Sequence, residues 1–231
     1  MKTILKARDI HKTYRTGEVE THALRGVDLD IHAGEFTAIA GPSGSGKSTL
    51  LHILGGLDRP NQGEVWLGEA RIDGLSFTEL AKLRLTHFGF VFQAYNLIPV
   101  LTALENAAFV LELQGMPRRE RETKALEALA ILGIAELSGR RPNQLSGGQQ
   151  QRVAVARALA ANPKLILADE PTANLDSKTG LALIEHMQRL NSEDGVTFLF
   201  STHDPRLLEH VTRTVYLEDG QIVRDSVPQA A

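Results

Sequence analysis

Cysteine is missing from all 231 residues. That excludes disulfides, thiolate nucleophiles and cysteine–zinc sites, and it suits a reducing compartment. Long apolar runs are missing too: none approaches the roughly 18 residues that a membrane-crossing helix requires. The opening residues, MKTILKARD, hold no apolar stretch of signal-peptide length. The expectation is a chain soluble by itself, reaching any membrane only through a partner. A basic excess is also lacking. The 25 Lys and Arg are outnumbered by 28 Asp and Glu, for a formal net charge of -3. Nucleic-acid binders usually show the opposite balance, so no nucleic-acid partner is expected. Repeats, low-complexity segments and sustained heptads are absent as well. What is there is 42% hydrophobic, an ordinary content for one large domain with a sizeable core.

Short apolar runs at Phe36 to Ala40 and Phe88 to Phe92 predict buried strands, and the alternation at Val27 to Ile31 predicts a half-buried one. Gly63 to Leu67 reads as a further strand, and a helix is expected from Lys47 to about Gly55. Ser76 with Glu79, and Thr102 with Glu105, stand at capping-box spacing and open helices. From Gln93 to Ala160 the pattern is helical. Apolar residues recur at helical spacing from Arg118 to Leu132, with Gly133 as a stop. Strands return at Lys164 to Ala168, Thr197 to Ser201, Arg213 to Leu217 and Gln221 to Arg224, and Ser226 to Ala231 reads as a loose tail.

The stretch Gly41-Pro42-Ser43-Gly44-Ser45-Gly46-Lys47-Ser48 fits the phosphate-loop pattern GxxxxGK[ST], after an apolar strand and before a helix. Glycines let successive N–H groups turn inward on phosphates. Lys47 is expected at the β- and γ-phosphates and the Ser48 hydroxyl on magnesium. The apolar strand Leu165 to Ala168 delivers two carboxylates to its end. Asp169 is expected to hold magnesium, and Glu170, pointing differently, to face an attacking water as general base. Gln93, after a strand, suits magnesium coordination or the positioning of water, or is a surface loop residue. His203 suits a γ-phosphate, or belongs to the start of a helix at Asp204-Pro205. Tyr14 suits a nucleobase face, or packs within a strand.

Leu145-Ser146-Gly147-Gly148-Gln149 poses a separate question. Ser146 and Gln149 alone make a capping box. The glycine pair costs a helix start about 1 kcal/mol each relative to alanine, with no local gain evident in the pattern. Close approach of another group, and an anion in particular, is the alternative.

These residues resemble the ATP-binding-cassette (ABC) family in order. GPSGSGKST, ending at Thr49, matches the Walker A loop, Gln93 the Q-loop, LSGGQ the signature and LILADE the Walker B strand. Ala173-Asn174-Leu175-Asp176 matches the D-loop, Ser201 to Asp204 the switch-histidine loop, and Tyr14 the adenine-stacking aromatic. The resemblance implies a P-loop NTPase fold of α/β class over residues 1–231. Its core of mixed sheet and helices comes from 1–92 and 161–231, with a helical signature subdomain at 93–160 and an antiparallel β part. It also implies an ATPase that uses ATP and Mg²⁺ and forms a homodimer packed head to tail. The signature residues Ser146, Gly147, Gly148 and Gln149 would close over the ATP of the other subunit, with Asp176 at the interface. The stretches FQAYNLIP, LTALEN, GGLD and TANLDS resemble the lipoprotein-releasing and macrolide-export subgroup. That implies a permease partner with an extracytoplasmic domain, and a peripheral position on the cytoplasmic face of the inner membrane. Gln93 to Glu105 would contribute to docking, with Tyr95, Leu97, Ile98 and Leu101 either partly exposed or packed between core and insert. Other readings are a soluble cassette ATPase acting on ribosomes or DNA, the cell-division ABC ATPase, and an unrelated P-loop kinase or GTPase, which LSGGQ disfavours.

Overall fold

The computed structural model describes residues 2–17 and 19–226. The chain opens with β1 (Thr3–Thr16) and β2 (Val19–His32), paired antiparallel. β3 (Phe36–Ala40) passes to a second layer and leads through a glycine-rich loop into α1 (Lys47–Leu54). β4 (Gln62–Leu67) pairs with β1, and the two-residue β5 (Ala70–Arg71) completes a sheet of order β2-β1-β4-β5. Then come α2 (Phe77–His87), β6 (Phe88–Val91), and three helices, α3 (Ala103–Leu113), α4 (Arg118–Ile131) and α5 (Gly147–Ala160). The chain returns through β7 (Leu165–Asp169), α6 (Ser177–Asp194), β8 (Phe198–Thr202), the single turn α7 (Pro205–Leu208), β9 (Arg213–Glu218) and β10 (Gln221–Ser226). The second sheet has the order β10-β9-β3-β8-β7-β6, parallel except for β10.

Burial on both faces explains why β3, β6, β7 and β8 of this sheet read as apolar runs. Along β7, Leu165 and Leu167 join a cluster with Leu50, Leu54 and residues of the antiparallel sheet. Ile166 and Ala168 join a second cluster that spans α3, α4, α5 and α6. The helices between 103 and 160 therefore share one continuous apolar core with the sheet. The predicted capping boxes at Ser76–Glu79 and Thr102–Glu105 are both present.

The first two strands depart from the sequence reading. Val27 to Ile31 is only the end of a 14-residue strand, and the sequence pattern shows no equally long strand before it. A bulge is the reason. Asp9 adopts φ 49° and the register shifts between Ala7 and Ile10. Inward positions thus run Leu5, Ala7, then Ile10 instead of keeping a period of two. On β2 the inward phase likewise passes from Leu24 to Val27, with Gly26 at φ 79° between them. α6, from Ser177 to Asp194, is a further element that the sequence pattern does not announce. Asp176 caps α6 there by accepting from the Lys178 and Thr179 N–H groups, and Gly195 ends it in a left-handed conformation. The loose tail expected over 226–231 lies outside the described residues, apart from Ser226 at the end of β10.

Four parallel strands end on one side, which is where ligands of open α/β sheets bind. The end of β3 supplies the phosphate loop, β6 supplies Gln93, β7 supplies Asp169 and Glu170, and β8 supplies His203.

Candidate nucleotide site and its signature loop

A cleft of about 760 Å³ lies at those strand ends, within the range of small-molecule sites. Tyr14, most of the loop between Pro42 and Thr49, Gln93, Glu170 and His203 line it. In the loop, Gly41 at φ 150° and Gly46 at φ 102° sit where a Cβ would run into the carbonyls of Leu217 and Ala23. Only glycine allows the loop to wrap this tightly. Lys47 donates to the Gly41 and Pro42 carbonyls at 2.9 and 2.8 Å, so its ammonium is curled into the loop it follows. The Ser45 hydroxyl, buried in the same loop, has no partner. α1 begins at Lys47, and its N-terminal N–H groups add partial positive charge.

Ser48 Oγ donates to Asp169 Oδ1 at 2.8 Å, which joins the loop to the Walker B strand. This oxygen pair suits a hard cation that takes one or two protein oxygens and completes its shell with phosphate and water. Among the described residues no cluster of three His, Cys, Asp or Glu forms a metal cage; Ser48 and Asp169 are the residues here that would hold Mg²⁺. His52, one turn beyond Ser48, lies 3.7 Å from the other Asp169 oxygen, a neighbour the sequence pattern does not announce.

Glu170 stands at φ 46°, a strained conformation for a non-glycine residue, held by its N–H to the Ser201 carbonyl at 2.8 Å. Its carboxylate shares a 2.7 Å hydrogen bond with His203 Nδ1 and accepts from Thr202 Oγ1 and the His203 N–H at 3.3 and 3.4 Å. The turn after β7 thus aims Glu170 away from Asp169 and toward His203. His203 lies beside the helix start as well as the site. Asp204, next to it, caps α7 and accepts from Thr172 Oγ1 at 2.6 Å.

The signature residues do not line this cleft. Ser146 caps α5 through a reciprocal box with Gln149. The close approach expected at the glycine pair is present, and it comes from within the same subunit. A Cβ on Gly148 would run into Thr179 Cγ2 of α6, and one on Gly147 would meet the Tyr95 hydroxyl. Asp176, at the α6 cap, also lies outside the cleft. The Q-loop is tied to both neighbours. Arg157 of α5 donates to the Tyr95 and Asn96 carbonyls at 2.9 and 2.5 Å, and those two residues are both left-handed, at φ 60° and 49°. Asn174 donates to the Gln93 carbonyl at 2.8 Å. Sequence reasoning missed Arg157, because it looks like a surface arginine at the end of an apolar helix. Of the stretch read as a docking or packing surface, Tyr95, Leu97, Ile98 and Leu101 are half-buried and Val100 is exposed.

A family model described as ABC transporter matches residues 24–173. The chain is 49% identical over 226 residues to the ABC transporter ATP-binding protein MJ0796 of Methanocaldococcus jannaschii, covering 96% of each. It is 44% identical over 225 residues to the lipoprotein-releasing system ATP-binding protein LolD of Geobacter metallireducens, covering 97% of this chain and 100% of that one. It is 48% identical over 225 residues to the macrolide export ATP-binding/permease protein MacB of Nitrobacter winogradskyi, covering 97% of this chain but 35% of that longer one. Among solved structures, a dimeric post-hydrolysis state of MJ0796 bound to ADP and Pi superposes with a TM-score of 0.92 at 46% identity, covering 99% of this chain and 100% of that one. With the phosphate loop, paired carboxylates and signature helix placed as described, the chain belongs to the ABC transporter family, as one of its ATP-binding, ATP-hydrolysing cassettes.

Proposed function

We propose that two copies of this chain pack head to tail around two Mg-ATP and drive export, lipoprotein release or mechanical transmission through a membrane permease that carries an extracytoplasmic domain. The observation that carries this reading is an incompleteness. One cleft gathers the phosphate loop, Gln93, Glu170 and His203, while Ser146 to Gln149 lie outside it. A second copy supplies what is missing, and the relative MJ0796 is dimeric in its ADP- and Pi-bound structure.

In this reading Tyr14 stacks on the base, and the N–H groups from Gly41 to Thr49 cradle the phosphates. Lys47 exchanges its bonds to the Gly41 and Pro42 carbonyls for bonds to the β- and γ-phosphates. Ser48, Asp169 and Gln93 hold Mg²⁺, which when bound offsets charge on those phosphates. Glu170 takes the proton of the attacking water, an effect worth about 10²–10⁴ in rate. His203 holds Glu170 through their shared hydrogen bond in the free protein and turns its ring N–H to the γ-phosphate when ATP is bound. Ser146, whose oxygen accepts from Gln149 N, keeps its proton free for the neighbour's γ-phosphate. Asp176 lies at the joint between the subunits.

The permease side rests on a second surface. A groove of about 320 Å³ between the sheet and the helical part is walled by Leu57, Leu85, Phe90, Phe92, Phe109 and Leu113. Its apolar lining suits a short helix of a membrane partner. The permease is part of the same chain in the relative MacB. No helix among the described residues is long and apolar enough to cross a membrane, so the proposed place on the cytoplasmic face of the inner membrane is peripheral, through that groove.

The test is Glu170→Gln. With proton abstraction removed and binding kept, the variant sediments as a dimer at saturating ATP and magnesium and returns to monomer without nucleotide. A variant that binds ATP and stays monomeric contradicts the reading.

A further inference from the structure

The turn that follows α1 carries a side chain that reaches the base end of the cleft. Asp58, 44 residues from Tyr14 in the chain, accepts the Tyr14 hydroxyl on Oδ2 at 2.7 Å. Its other oxygen accepts Lys12 Nζ at 2.7 Å and its neighbour's Arg59 N–H at 2.7 Å. Lys12 is buried, and its ammonium also donates to the Arg59 carbonyl at 2.6 Å. That ammonium stands over the Tyr14 ring, 4.9 Å from its centroid, within the range of a cation–π contact. Tyr14 lines the cleft and is 41% exposed, while Lys12 is not among the lining residues. The ring therefore has a cation on its protein side and open space on the side of the phosphate loop.

We propose that Asp58 and Lys12 are positioning residues that hold the Tyr14 ring, in the free protein, as a preformed platform for the nucleobase. This rests on the reading that Tyr14 stacks on the base. A free tyrosine on a strand samples several χ1 and χ2 states, and binding has to select one of them. Here the hydroxyl is tethered at one end and the ring face is occupied by an ammonium, so the selection is made before ATP arrives. The burial of Tyr14, and then its bond to Asp58, raise its pKa, so the hydroxyl remains the donor. Burial pushes the Asp58 carboxyl up, but its bonds from Lys12, Tyr14 and Arg59 outweigh that and leave it below its ordinary value, so it remains the acceptor.

The arrangement also sets a distance. The Leu57 and Asp58 N–H groups both donate to the His52 carbonyl, which fixes the turn on the end of α1. The N-terminus of α1 holds the phosphate loop. One eight-residue helix, about 12 Å long at 1.5 Å per residue, therefore joins the anchor of the base platform to the phosphate cradle. A ligand with both a base and a polyphosphate gains from this spacing, and a polyphosphate alone does not.

The experiment measures the affinity of ATP and of inorganic tripolyphosphate, both with magnesium, by calorimetry. Tyr14→Phe keeps the ring and removes only the tether, so it is the variant least able to disturb the fold. Tyr14→Phe, Lys12→Met and Asp58→Ala each weaken ATP about two- to tenfold, the span expected for ordering one side chain on binding, and leave tripolyphosphate unchanged. Asp58→Ala added to Tyr14→Phe weakens ATP no further than Asp58→Ala alone, because the tether is already gone. Tyr14→Ala weakens ATP more, about five- to hundredfold, as loss of base stacking does. Wild-type ATP affinity in Tyr14→Phe and Lys12→Met, with a loss in Tyr14→Ala, overturns the clamp and leaves the stacking role standing. Wild-type affinity in Tyr14→Ala removes the stacking role and the clamp with it. Equal losses for ATP and tripolyphosphate also overturn the clamp, since the pair would then act on the phosphate loop rather than on the base.

Discussion

Lys47 shows how a single side chain prepares the site. Its ammonium is buried in the loop and bonded to two carbonyls, so it is desolvated and satisfied in the free protein, as the proposed exchange for a phosphate requires. Lys47→Ala removes a charge-assisted contact and weakens ATP binding about ten- to hundredfold, which equilibrium titration measures; unchanged affinity would remove Lys47 from the phosphates. Asp204 gives a test of pH dependence. Burial pushes its carboxyl up, but bonds from Arg206 and Thr172 outweigh that and hold it below the ordinary carboxylate value. A depressed value means that the folded protein favours the ionised form. The stability this brings is therefore full above the unfolded value, about 3.9, and is lost as pH falls through the folded one. Asp204→Asn costs about 1–3 kcal/mol at pH 7, and denaturation at pH 3 shows a smaller gap from wild type. An equal gap at both pH values contradicts the ionised contact. The placement of Lys47 and Ser48 at the start of α1, on the cleft, was legible because the loop pattern demands those residue types between a strand and a helix. The tether from Asp58 to Tyr14 was not, because it spans 44 residues and neither residue departs from its local pattern.

At the scale of elements, the signature helix is held by its glycines as well as by its cap. Gly148 lies against Thr179 so closely that a methyl group meets Cγ2. Gly148→Ala is therefore expected to destabilise the subunit by about 1–3 kcal/mol through overpacking. Thr179→Ser removes Cγ2, and the double variant recovers that loss, with up to about 1 kcal/mol more from the helix preference of alanine. Chemical denaturation of the two single variants and the pair gives the coupling energy, and additive effects would show that the contact does not limit this position. The sequence revealed the cap and the oddness of two glycines, but not the α6 surface behind them. β3, β7 and β8 were legible for the opposite reason. Each is five residues long and buried, save Asp169 at the end of β7, so composition alone marks it. β1 was not, because the bulge at Asp9 resets which residues face inward, and a period-two pattern cannot carry across it.

For the whole molecule, the parallel sheet places four functional strand ends in one cleft, and the helical part carries the signature residues outside it. The ties from Arg157 to Tyr95 and Asn96, and from Asn174 to Gln93, run between these two places, so the Q-loop is bonded to the signature helix and to the D-loop of its own subunit. The motif order announced all of these loops; which of them share a cleft is set by the strand order of the sheet, which no motif states. In the proposed dimer each cleft is completed by the other subunit, and mixing two variants tests this. Ser146→Arg is expected to bind ATP and fail to hydrolyse it, and Glu170→Gln to do the same for a different reason. A mixed dimer of the two has one site carrying both lesions and one site with neither. Mixing the two inactive variants is therefore expected to restore ATP hydrolysis, rising to a maximum at equal proportions. No recovery at any ratio, with mixed dimers shown to form, would mean that Ser146 serves the cleft of its own chain and that the clefts are not shared between subunits.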